Sequence, residues 1–514
     1  MRAQFFGKTF WISLIGLAAT FAISALVFDT PYVLLILILV AIGVFLVTFK
    51  KLEIGLLFAF AELFANSHGH LMFVDLHGFQ FGLRMVIFTA VMLAWLSRVW
   101  LGRSPWPYQM TRLKIFSPLF LAILLGFLNG YLRHGLSLTF SDGNAYLYLA
   151  YLLPILSVTW NALLRRQLLQ VLTAAALWVS ILTLGLLFIF SHFSDAGFLG
   201  AIYRFIRDTR TGELTQMSPG LFRVFMPAQL TLGLVLLLWL PLSWLKRQGR
   251  AAWWSLLTLG SILSAALLIS LSRSFWFGLF VALFGLIALC LRFAWPGWHS
   301  VLRSGGSFLL LSILSLASLI IVILLPFGSS IVSFNNLSDV LSSRATGTAD
   351  SAIDSRWKLL DPMLDLIKAS PLIGYGFGQE VAFITDDPRI RASIPDGYYE
   401  TYALEWGWFE LWLKMGIVGP LSFLFIFLML GRDLLSYRHA KNAWLGFGLF
   451  AGLLLIAATH IFSPYLNHPL GLGYLLFLLP FLPEPKPAWP AGVQVLSPLL
   501  SNKATANSVI SSRS

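Results

Sequence analysis

Residues 32–49 read YVLLILILVAIGVFLVTF, a run without a single charge, closed by Pro31 on one side and Lys50-Lys51 on the other. An α-helix rises about 1.5 Å per residue, so such a run nearly matches the ~30 Å hydrocarbon core of a bilayer. The same pattern repeats outward from it in both directions. Candidate spans fall at 10–28, 32–49, 52–66, 82–100, 115–131, 144–163, 168–190, 224–243, 252–271, 275–293, 307–326, 407–430, 443–462 and 469–483. Of these, 52–66 and 469–483 are short for a full crossing. Composition points the same way. Charged residues make up 11% of the 514, against about a quarter in soluble chains, too few to cover a water-facing surface. The expected fold class is therefore an all-α integral membrane protein of about fourteen (12–14) transmembrane helices.

The first run, 10–28, is longer than the core of a signal peptide and ends at Asp29-Thr-Pro31 without a cleavage pattern, so it reads as the first span. The net charge of +13 comes from Lys and Arg scattered singly between apolar runs. It is a topology signal and does not point to nucleic acid. Lys50-Lys51, Arg98, Arg103, Arg112, Arg165-Arg166, Arg250, Arg292, Arg432 and Arg438 fall in alternate loops. Those loops are cytoplasmic by the positive-inside bias, which gives a multi-pass membrane protein with both termini inside. The acidic residues take the complementary loops. Cys290 is the only cysteine, which excludes an intramolecular disulfide and a cysteine metal cluster.

One large outer loop, 327–406, separates spans eleven and twelve. It holds Arg344, Arg356-Trp357 and the run Pro371-Leu-Ile-Gly374-Tyr-Gly376-Phe-Gly378, and leads into Glu405-Trp-Gly-Trp-Phe-Glu410 and Gly416-Ile-Val-Gly419. The chain is expected to divide into an N-terminal bundle (1–220), a central region including the loop (221–430), C-terminal helices (431–483) and a disordered cytoplasmic tail (484–514). On the outer side, arginines are the anomaly: Arg84, Arg204, Arg207, Arg210, Arg223, Arg273, Arg344 and Arg356. Snorkelling or local ion pairs account for such residues in general. Arg223 and Arg273 have no acidic neighbour in sequence, and a forked cation there suits an anion.

Ser272-Arg273-Ser-Phe-Trp276-Phe-Gly278 resembles the Ser-Arg-Gly/Ser-x-Trp-x-Gly signature of the O-antigen ligase and polymerase superfamily of bacterial membrane glycosyltransferases. Arg223 with Pro227, Arg356-Trp357, the Pro371–Gly378 run and Gly416–Gly419 follow that family's order, and the resemblance covers about 220–430. It implies an enzyme that takes an oligosaccharide from a polyprenyl diphosphate carrier on the outer face of the membrane. No cofactor or metal is implied. Arg223, Arg273, Arg356 and Arg344 would meet the diphosphate, and partners would be the lipid-linked donor, a glycan or lipid A core acceptor, membrane lipids, and a chain-length regulator or flippase. Family ligases carry a His-Asn pair eleven residues before the Gly-x-x-Gly re-entry, where this chain has Glu405-Trp406. Glu405 becomes the expected catalytic base, its bland reading being a helix N-terminal residue. Loss of the ligase histidine favours a surface-polysaccharide polymerase, with a ligase to lipid A core and a lipid-linked oligosaccharide flippase as the alternatives.

The remaining motifs carry two readings each. Phe409 and Trp412, on the Glu405 face of the expected helix, are sugar-stacking residues or part of an interfacial belt. Gly374, Gly376 and Gly378 form a phosphate cradle or a packed turn. His68, His70 and His77 with Asp75 suggest a metal site or an interfacial loop. His460 is the alternative base. Glu400 and Glu410, five residues either side of Glu405, are expected to face elsewhere.

Overall fold

In the computed structural model the apolar runs fold as helices whose ends sort the charges. The structure describes residues 2–76, 79–107, 110–218, 220–245, 249–293, 298–324, 351–386, 388–440 and 442–483. Through Leu482 they form one compact unit. In chain order the main helices are α1 (Lys8–Val27), α2 (Tyr32–Lys50), α3 (Leu52–Ala65), α4 (Leu83–Trp100), α5 (Met110–Gly143), α6 (Ala162–His192), α7 (Ala196–Asp208) and α8 (Leu230–Leu245). They continue as α9 (Arg250–Leu268), α10 (Arg273–Phe293), α11 (Trp298–Leu324), α12 (Ser351–Ala369), α13 (Gly407–Met415), α14 (Val418–Leu435), α15 (Ala443–Phe462) and α16 (Pro469–Leu478). Three antiparallel hairpins sit between helices: β1–β2 (Phe73–Leu76, Phe79–Gly82), β3–β4 (Glu213–Ser218, Leu221–Phe225) and β5–β6 (Val381–Ile384, Tyr398–Thr401).

Among the described residues, 10 helical segments are long and apolar enough to cross a membrane. Four of the fourteen apolar runs take other forms. Run 52–66 is the 14-residue α3. Run 144–163 continues from α5 as a 3-10 helix, Asn144–Tyr151, and a short turn of helix, Leu152–Leu156. Run 307–326 is the apolar stretch Leu309–Ile323 within α11, and 469–483 becomes α16 with a 3-10 turn. The run 407–430 breaks into α13 and α14. Gly416 lies at φ 64°, and a Cβ there would stand 2.0 Å from the Leu372 carbonyl. A side chain is excluded on both counts, so the helix stops there and restarts.

The segments Pro227–Leu245 and Ala443–Phe462 are the most enclosed, with 78% and 67% of their span windows buried, whereas Lys8–Val27 has 11%. The centre of the bundle is therefore α8 and α15, with α10 beside them. α10 closes on α15 where Gly278 faces Thr459, whose hydroxyl would be 2.2 Å from an added Cβ. Small residues at such crossings let helices approach when both sides are already apolar.

The two ends of the bundle differ in chemistry. At one end Arg98 donates to the Phe49 and Lys50 carbonyls (2.8 and 3.0 Å), Arg112 to the Leu479 carbonyl (3.0 Å), and Arg438 lies over Phe293. At the other, Ser67 donates to the Thr211 carbonyl (2.6 Å), Ser463 meets Ser274 (3.0 Å), and α12 with β5–β6 caps the bundle. These contacts link described residues of several loops read as cytoplasmic to one another, and described residues of several loops read as outer to one another.

Gly416→Ala is expected to lower the midpoint of thermal unfolding in detergent, by the equivalent of about 1–3 kcal/mol. Gly185→Ala, inside α6 with nothing within 4 Å of an added Cβ, is the matched control and should leave it unchanged or raise it. Equal behaviour of the two would contradict the break described at Gly416.

Candidate active site

The outer end is built on an amphipathic helix. α12 buries Leu359, Met363 and Ile367, one per turn, against Val381, Leu404, Trp406 and Leu413. This spacing presents one face inward and leaves the N-terminal rim free. Arg356 lies on that rim and pairs through Nε with the Glu405 carboxylate. The Trp406 indole donates to the Arg356 carbonyl (2.8 Å), so helix rim and carboxylate are held as one unit. Glu405 precedes the N-cap of α13, and its side chain is 50% exposed. Trp357 packs edge-on to Trp406, ring centres 5.1 Å apart, and is itself exposed.

A second group forms at the turn between α9 and α10. Arg223, on β4 opposite Thr215, donates from Nε to the Ser270 carbonyl (2.8 Å), with its guanidinium 4.9 Å above the Phe225 ring. Arg273 opens α10 immediately after, beside Ser272 and Ser274, whose hydroxyls are 3.1 Å apart. A helix N-terminus with arginines beside it is electrostatically suited to an anion. The two groups are joined by aromatic contact. Phe277, one turn after Arg273, packs on Phe462 (5.6 Å between ring centres), and Phe462 packs on Trp406 (5.5 Å). The structure therefore pairs Arg356 with Glu405 and Arg223 with the Arg273 turn. Arg344 lies outside the described residues.

Phe409 packs on Trp406, and the Trp412 indole donates to the Pro371 carbonyl (2.8 Å); both are half-buried against the outer apolar cluster. The glycine run is a packed turn. The amides of Tyr375, Gly376, Phe377 and Gly378 donate to the Leu413, Lys414 and Gly126 carbonyls and to Asp142 Oδ2 (2.8, 3.1, 3.0 and 2.7 Å). A phosphate cradle needs such amides free, so this reading is set aside. Gly376 sits so close to α5 that a Cβ would be 2.1 Å from the Gly130 amide nitrogen.

The histidine readings change too. His460 is fully buried; its Nδ1 accepts the Leu466 amide (3.2 Å), and its ring lies under Gly407. It shapes that turn and has no path to a hydroxyl on the outer surface. His68 contacts His468 (3.3 Å between ring nitrogens), and burial, with Arg84 adding to it, pushes the His68 ring down to about 4. Among the described residues no three His, Cys, Asp or Glu side chains gather as metal ligands; His77 lies outside them. Arg84 itself is matched by Glu62 (2.9 Å), and Arg204 by Asp29 (3.1 Å).

Two features escaped the sequence reading. Glu410 does face away from Glu405, but into a buried ion cluster with Lys414 and Asp142. Its signal was present, a Glu and a Lys four apart in an apolar helix. Trp357 is the more exposed aromatic beside Glu405, where Phe409 and Trp412 were expected.

No curated protein and no solved structure matches the chain. Residues 259–424, which run from α9 through the Arg273 turn and Glu405 into α14, match the family model described as O-antigen ligase, and that match, over about a third of the chain, supports membership of the O-antigen ligase/polymerase superfamily.

Proposed function

We propose that this protein is a membrane glycosyltransferase that takes an oligosaccharide from a polyprenyl diphosphate and extends a surface polysaccharide. The observation that carries the reading is the Glu405–Arg356 pair on the rim of the outer cap, joined by an aromatic bridge to the Arg223–Arg273 turn. In this reading about fourteen segments enter the bilayer, both termini face the cytoplasm, and the capped end faces outward. The domain limits are those of the sequence, with the central region 221–430 holding the chemistry.

The acceptor hydroxyl oxygen attacks the anomeric carbon of the donor. The bond from that carbon to the phosphate oxygen breaks, and the electron pair leaves on the lipid diphosphate. Arg223, Arg273 and Arg356 take up that charge with fixed, forked donors, and Arg344 is assigned the same role from the sequence alone. The acceptor proton passes to Glu405, in concert with bond formation. Pairing with Arg356 keeps the carboxylate aimed while the arginine's remaining donors meet the diphosphate. Phe409 and Trp412, with the more exposed Trp357, offer ring faces to the sugar.

A second reading, transfer of the glycan to lipid A core, is favoured by the description of the matched family as O-antigen ligase. The glycan profile of a deletion strain separates the two. The polymerase reading expects loss of long chains while single repeats stay attached. Loss of all glycan from lipid A core would establish the ligase, and accumulation of lipid-linked glycan on the cytoplasmic face would establish a flippase.

The site assignment makes its own prediction. Glu405→Gln keeps shape and an acceptor for Arg356, and should cut turnover by about 10²–10⁴-fold while donor still binds. Arg273→Lys keeps charge but loses the fork and should also reduce turnover. Normal rates in both variants, at normal expression, would return these residues to structural roles.

A further inference from the structure

Lys414 is almost wholly enclosed, with its side chain 2% exposed, yet it carries an ammonium. All three of its N–H donors are used: on Asp142 Oδ1 (2.6 Å), Glu410 Oε1 (2.5 Å) and the Tyr402 carbonyl (2.8 Å). The acceptors come from separate parts of the chain. Asp142 ends α5, Glu410 lies one turn earlier on α13, and Tyr402 belongs to the stretch that leads into Glu405. The second oxygen of Asp142 accepts the Gly378 amide (2.7 Å), which ties the glycine turn to the same point. Tyr146 donates to Asn467 Oδ1 (2.9 Å), in the 3-10 turn Tyr465–Asn467 that packs against α13. Asn467 belongs to the connection that begins at Ser463, and Ser463 meets Ser274 next to Arg273 (3.0 Å). One ammonium thus joins the segment bearing Glu405 to α5 and α13, and the connection that touches the arginine turn packs on α13.

Stability alone is a poor explanation for this cluster. Removing charges from water offsets most of their mutual attraction, and apolar residues of similar volume often serve as well. Two carboxylates around one ammonium also leave excess negative charge in an enclosed place. Fixing a geometry is the role such clusters fill best, and the geometry fixed here is that of the candidate site.

We propose that Lys414 is a positioning residue of the transfer reaction, clamping Asp142, Glu410 and the Tyr402 carbonyl to one point and so setting the spacing between Glu405 and the Arg273 turn. The inference rests on the transfer reaction proposed above. Lys414 and its partners do not touch substrate; they act through Glu405.

Lys414→Met alone strands two buried carboxylates and is prone to misfold. The test therefore uses the neutral triple variant D142N/E410Q/K414M in the full chain, purified in detergent and assayed with a polyprenyl diphosphate oligosaccharide. The expected result is a fall in kcat of at least ~10-fold, with KM for the donor within ~3-fold, because the arginine turn is intact. Amide hydrogen exchange over 398–406 should become faster. Adding the triple variant to Glu405→Gln should bring little loss beyond that of Glu405→Gln alone, since both act through one group. Wild-type kcat, unchanged exchange over 398–406, or losses that multiply in the combined variant would overturn the proposal. A fully active Glu405→Gln protein would instead remove the proposed base, while faster exchange in the triple variant would still uphold the clamp.

Discussion

A charge placed in hydrocarbon costs about 2.5–3.5 kcal/mol even by the gentlest scales, and the position of each charged side chain described above follows from that cost. At one end of the bundle, arginines reach back to helix-terminal carbonyls, as Arg98 does to Phe49 and Lys50. At the other, Arg84 is matched by Glu62, and Lys414 by two carboxylates. The candidate site adds Arg356 with Glu405, and the Arg223–Arg273 turn. In the proposed reading those groups lie where a lipid headgroup meets water and so would meet a diphosphate leaving group.

The outer cap is more than a loop laid over the membrane helices. Its glycine turn is driven into α5, with four consecutive amides taken up by protein acceptors, and its return helix stops at Gly416 under the Leu372 carbonyl. Backbone groups near the hydrocarbon must be satisfied from within the protein, and this wedge satisfies them while fastening the cap. α12 then has a fixed platform, so that Arg356 and Glu405 meet across 49 residues of sequence. A preorganised pair of this kind is what electrostatic catalysis requires, since little rearrangement accompanies the reaction.

Much of this was legible in the sequence, for physical reasons that can be named. Run length and charge placement reveal spans and ends because the bilayer imposes both. Arg223 and Arg273 stood out because no acidic residue lies near them in sequence, and Arg356 and Glu405 because they flank the outer loop's helices. The rest depends on contacts remote in sequence. Gly374, Gly376 and Gly378 look alike as a cradle or as a wedge, and only the approach of Gly126 and Gly130 from α5 decides between them. Lys414 meets Asp142 across 272 residues, a pairing no local pattern announces. The run 144–163 is apolar enough to span, yet folds as a 3-10 helix and a short turn, since apolarity sets burial and not helix type. His460 looked available at a helix end and proved sealed, because Gly407 lets another helix start close above its ring.

The central claim is that this bundle performs glycosyl transfer at its capped face. The most direct measurement is reconstitution of the purified chain in liposomes loaded with a polyprenyl diphosphate oligosaccharide, followed by analysis of glycan and lipid. Longer glycan appearing together with free polyprenyl diphosphate, in equal molar amounts per bond formed, is the predicted result. Movement of intact lipid-linked donor across the bilayer with no new glycosidic bond would contradict it and assign the protein to transport.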